Sequence, residues 1–442
     1  MTVLAHGLGG RSDLPVPLWL ALYGGAAAVV VSFVALGALW PTPRLAARAG
    51  GKVLPTPLQR LADARTTRAA LRAVGVAAWA VLLGTAVLGD QSAADNPAAT
   101  WLYVWLWVGL VPVSLLLGPV WRAASPLRTL TTGIERLVGD PHGLGTAPLP
   151  PRLSYWPAAA GLAVFVWLEL VYPHAARPFT VALFVVVYTL VHLAAAARFG
   201  QAWYRRGESF EVYATLLAHL SPLGRRPDGR LALRNPLAGL ATIEADASLV
   251  AVICVLLGST VFDGLTRTTL WEGLIARQGA GALLLAGTAG LAAAVGLVAA
   301  TYAAATWLAG RVTGASASAW PLTRRFAHSL VPIAVGYTVA HYFSLFVFQG
   351  QAGYILASDP LARGWDLFGT AGWQIDYRLV SPQTIALVQV AAIVLGHVAG
   401  VVAAHDRAVT LFAGRDQNRS QYPLLAAMVA YTIAGIALLV GV

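Results

Sequence analysis

The chain has 442 residues, 58% of them hydrophobic and only 11% charged, with a formal net charge of +11. A soluble domain carries about 25% charged residues, so a water-soluble globular class is excluded. The basic excess does not mark a nucleic-acid binder, because the arginines are shared among short loops rather than gathered into one patch with interleaved aromatics.

Apolar runs recur from end to end, each long enough to cross a bilayer as a helix. The sequence predicts ten spans, at about 17–40, 70–90, 99–120, 155–173, 179–199, 246–262, 280–309, 326–348, 382–406 and 423–442. The segments 41–72, 121–154, 198–246, 311–325 and 407–421 hold 24 of the 30 basic residues, and the alternate segments hold the other 6. That alternation sets the arginine-rich loops inside and both termini outside. The expected fold is therefore all-α: a polytopic integral membrane protein in which residues 1–442 form one transmembrane domain.

The segment before the first span has no basic n-region or separate apolar core, so it does not read as a signal peptide. Within 198–246, FEVYATLLAHL has helical apolar spacing and predicts an amphipathic helix on the inner surface. Residues 349–381 form the longest outer loop, where Trp365, Trp373 and Tyr377 suit the membrane interface. Span 7 is rich in Ala and Gly, and Gly396 and Gly400 form a GxxxG in span 9; both predict close helix contact. A split into five plus five spans would give two halves of opposite topology, but no internal repeat is visible. Cys254 is the only cysteine, which excludes intrachain disulfides and a cysteine zinc site. The Arg, Ala and Gly bias, with Lys52 the only lysine, fits a high-GC bacterial genome and hence a multi-pass protein of a bacterial inner membrane.

Ionisable residues within spans are functional candidates by default. An outer set comprises His6, Glu169, His174 and His341, and Tyr337, His341 and Ser344 share one helix face. Imidazoles with a carboxylate suit a divalent transition metal, zinc first and copper or iron as alternatives, whose bound water would become a hydroxide nucleophile. His6, His174 and His341 are the expected metal ligands. Glu169, Ser344 and Asp366 are the candidate catalytic or orienting groups, acting on a small-molecule substrate. A deeper pair, His192 and His397, could hold haem iron through axial imidazoles or serve as hydrogen-bond partners between helices. His142, His219 and His328 lie in or beside inner loops, where surface roles are expected. His405 and Asp406 fall near the inner surface, where a charge pair is unsurprising.

Several segments together carry a family resemblance: AHGLGGRSDLPVPLW, YWPAAAGLAVFVWLELVYP, AHYFSLFVFQGQ, SDPLARGWDLFGT and GHVAGVVAAHDRA. Over nearly its whole length the chain resembles bacterial multi-spanning membrane proteins labelled fenitrothion hydrolase-like. The resemblance implies a membrane-embedded, metal-dependent hydrolase of organophosphate triesters acting at the outer face. Two other classes use the same residues: a transporter or metal-handling permease, and a structural or assembly factor of an envelope complex. A continuous polar route through the bundle distinguishes the permease.

Overall fold

A computed structural model of the chain describes residues 16–46, 50–139, 145–276, 278–314 and 320–441. Among them, nine helices are long and apolar enough to cross a membrane. With one shorter apolar helix they are numbered here in chain order. They are α1 (Leu18–Leu39), α2 (Arg65–Leu88), α3 (Ala98–Leu117), α4 (Trp156–Leu170) and α5 (Pro178–Phe199), then α6 (Ala247–Leu265), α7 (Ala280–Val312), α8 (Leu330–Ile355), α9 (Pro382–Leu411) and α10 (Tyr422–Leu439). Every expected span has its helix.

The short one is α4. Its 15 residues reach about 22 Å at 1.5 Å per residue, against a hydrocarbon core of about 30 Å. Its start is set by Ser154, at φ 32°, and Pro157 in its first turn, and its end falls just before Pro173. At the other extreme, α8 continues to Ile355, past the end expected at 348. Gln351, a polar residue that reads as a stop, exchanges hydrogen bonds with the backbone of Asp376, accepting from its N–H at 3.0 Å. The outer loop is shortened accordingly.

Contacts divide the chain into two compact units. The first holds 1–51, 234–345 and 378–442, and so contains α1, α6, α7, most of α8, α9 and α10. The second holds 52–233 and 346–377, with α2 to α5. The division is six helices and four, not the five plus five that an inverted repeat would need.

Within the first unit, α1 packs on α9 and α10, and α6 on α7. Small residues make these contacts possible, as the sequence predicts. A Cβ at Gly258 of α6 would stand 2.5 Å from the Val295 Cα of α7. The α8–α9 contact is tighter still. A Cβ at Gly336 would meet the Ala392 carbonyl at 2.4 Å, and one at Gly396 the Pro332 carbonyl at 2.7 Å. Gly400 lies the same way against the Ser329 carbonyl, at 2.8 Å.

Within the second unit, the helix Ser209–Ala218 corrects the expectation of a surface helix. Nine of its ten residues are buried, and it packs against α3 and α4. The reason is its composition: Phe210, Val212, Tyr213, Leu216 and Leu217 leave no polar face to turn toward water. Its one carboxylate within the helix, Glu211, is held by Arg128 at 2.6 and 2.8 Å and by Arg122 at 3.2 Å. Around it Trp107 stacks on Tyr213 at 4.4 Å and meets Phe165 edge-on at 5.0 Å. Trp107 belongs to Trp101–Val108, a wide π-helical stretch of α3. The same unit carries the only strands among the described residues, β1 (Lys52–Val53), β2 (Leu223–Arg225) and β3 (Leu231–Leu233), antiparallel in the order β1–β3–β2.

Candidate functional site

The polar interior of the first unit begins at the end of α6. This helix runs three residues beyond the expected span, to Leu265, and so carries Asp263 into the packed interior. One turn on, Arg267 donates to Asp263 Oδ2 at 2.9 Å. From α8, His341 sets Nδ1 3.2 Å from the same oxygen, within reach of charge attraction though not aligned as a hydrogen bond. His341 is buried, and its ring edge passes Gly264, where a Cβ would stand 3.4 Å from Cε1. The contact sets an imidazole beside a carboxylate in the packed interior. Arg267 balances the carboxylate charge, which a buried acid requires.

Elsewhere in the same unit the polar groups are sparse and underused. Ser344, one turn from His341, is buried with its hydroxyl unpartnered among the described residues. On α9, Gln389 is fully buried, with neither amide atom hydrogen-bonded among the described residues. His397, also fully buried, directs Nδ1 to the Ile393 carbonyl at 2.8 Å and leaves Nε2 without a partner among the described residues. Its ring meets Tyr337 edge-on at 5.6 Å and lines an apolar cavity of about 40 Å³ with Tyr302 and Tyr431.

At the inner end the groups are saturated. His405 sets Nδ1 3.2 Å from Gln421 Oε1 and Nε2 3.0 Å from the Trp40 carbonyl. Asp406 accepts from the Arg44 N–H at 2.6 Å, from Trp40 Nε1 at 3.1 Å and from the Leu45 N–H at 3.2 Å. These two side chains clasp the turn after α1 to α9. His328 is buried, with Nε2 3.3 Å from the Ala403 carbonyl, which corrects the surface role expected of it.

The remaining sequence candidates lie elsewhere. Glu169 lies in the last turn of α4 and His174 is exposed in the turn after it, edge-on to Tyr172 at 5.8 Å; both belong to the second unit. Asp366, also in that unit, is exposed and accepts the Ala371 N–H at 3.0 Å, a turn-forming bond. His6 and His142 lie outside the described residues. Among the described residues no group of three or more His, Cys, Asp or Glu side chains could hold a metal ion. Of the expected ligands, His341 belongs to the first unit and His174 to the second.

The two residues of the expected haem pair belong to different compact units. His192 belongs to the second unit, where Nδ1 accepts from Trp203 Nε1 at 2.9 Å and Tyr188 packs on the ring at 4.2 Å. Beside His397, 40 Å³ has room for one or two waters and not for a macrocycle.

Sequence reasoning missed Asp263 and Arg267, having placed both in an outer loop. The available signal was their spacing of four, which puts them on one face once the helix continues. No family model, curated protein or solved structure matches the chain.

Proposed function

We propose that the protein is a permease of a bacterial cell membrane, in which the six-helix unit moves a proton or small cation past its buried histidines. One observation carries this reading. Gln389, His397 and His405 follow at eight-residue steps on α9, and none is more than 2% exposed. At 1.5 Å per residue the series covers about 24 Å of a core about 30 Å thick. Polar side chains that face the interior of a membrane bundle mark ion and substrate paths. The Asp263–His341 pair sets a carboxylate and an imidazole side by side in the interior of the same unit. The unpartnered atoms of Ser344, Gln389 and His397 are hydrogen-bonding capacity that a passing ion or water would use.

The phosphotriester-hydrolase reading lacks comparable support, because its ligands would have to gather around one ion.

The test is a solid-supported membrane measurement on reconstituted protein, with jumps in proton and divalent-cation concentration. The expected result is a transient current that His341→Ala and His397→Phe each reduce at least tenfold, while both variants remain monodisperse. No protein-dependent current under any jump, or a current that both variants retain, would overturn the proposal.

A further inference from the structure

The second unit contains a groove of about 810 Å³ between α2 and the helix Pro126–Val138. Arg65, Arg68 and Arg72, spaced to share one face of α2, line one wall, and Arg136 lines the other. All four are exposed. Among the described residues none of the four guanidinium groups lies within ion-pair distance of a carboxylate.

Arg68 donates instead to the Asp63 backbone carbonyl. Arg122 and Arg128, from the same part of the unit, both pair with Glu211. Asp63, the acid nearest α2 in sequence, is engaged by Arg225 at 2.8 Å. The nearby carboxylates Glu211 and Asp63 are thus held by other arginines, and the four arginines line the groove without one. Like charges gathered in one groove repel unless an anion sits among them.

The rest of the lining gives the direction. Ala69, Ala73 and Val76 continue the stripe along α2, away from the basic loop and into the apolar part of the helix. Charge at the mouth with an apolar strip leading inward matches a phosphate headgroup with an acyl chain below it. Planar guanidinium groups are the side chains best suited to hold phosphate oxygens in pairs.

We propose that this groove is a phosphate-binding site, filled by the headgroup of an anionic phospholipid whose chain lies along Ala69, Ala73 and Val76. It is independent of the permease reading, since it involves other residues in the other unit.

The experiment is native mass spectrometry of the full chain released from detergent, titrated with phosphatidylglycerol, phosphatidylcholine or inorganic phosphate. Wild type is compared with the triple variants R65Q/R68Q/R72Q and R65K/R68K/R72K, and with R230Q as a control arginine elsewhere in the unit. The expected result is a phosphatidylglycerol adduct that phosphatidylcholine does not form. The glutamine variant should weaken it on the order of 100-fold, since each interfacial arginine contributes about a factor of five. The lysine variant should keep part of the affinity and R230Q all of it. Retention that free phosphate at millimolar concentration cannot displace identifies the lipid as the source. Adducts with inorganic phosphate alone, lost in the glutamine variant, support the site with a soluble phosphate as its ligand. Adducts equal in all variants, or equal for the two lipids, would overturn the proposal.

Discussion

Asp263 is the residue on which the outer polar cluster depends. Its carboxylate serves Arg267 and His341 through one oxygen, and its side chain is only 11% exposed. Removing one partner of a buried pair leaves the other charge uncompensated, whereas replacing the whole pair by apolar groups is often close to neutral. Asp263→Ala should therefore cost about 3 kcal/mol, and adding Arg267→Met should restore part of that loss. Reversible unfolding in mixed micelles measures both; a single-variant loss below about 1 kcal/mol would show that the pair is not a significant anchor. His405 differs in kind. Both of its ring nitrogens face fixed acceptors, so its place in the α9 series comes with a structural duty that His397 does not share.

Among the elements, the α8–α9 contact decides where the buried groups stand. Glycines at 336, 396 and 400 bring carbonyls of one helix against the backbone of the other. This is small-residue packing of the kind that holds helices together in lipid, where burying apolar side chains gains nothing. A methyl at 336 would have to displace a backbone carbonyl rather than the tip of a side chain. Gly336→Ala should cost about 1–3 kcal/mol in the same unfolding assay. Gly273→Ala, where nothing lies within 4 Å, should be neutral. Equal effects of the two would show that α8 and α9 are not held by that contact. The GxxxG was legible because spacing of small residues is local information. That the partner was α8, and that its own Gly336 faced Gly396, was not.

For the whole molecule, the arginine alternation requires that α4 cross the membrane although it is short. Introduced cysteines test this cleanly, because Cys254, the only native one, is buried. Thr146→Cys and His174→Cys flank α4 and should react with an impermeant maleimide from opposite sides of a vesicle. Reaction from the same side would reduce the crossings to nine and place the termini on opposite faces.

The sequence by itself determined the membrane class, the position of every long helix and the alternation of charge. It could do so because a bilayer makes each span nearly a local problem. About 20 apolar residues must satisfy their backbone within one helix, whatever their neighbours are. Tertiary structure decided everything that depends on the rotation and depth of helices relative to one another. It placed Asp263 against His341, 78 positions away, and buried Ser209–Ala218 on nearly every side. It left His174 exposed and Glu169 in a different compact unit from His341. Hydropathy fixes that a residue lies in a span but carries no record of which remote side chain it meets. Such meetings follow from glycine contacts, helix ends and paired charges acting together.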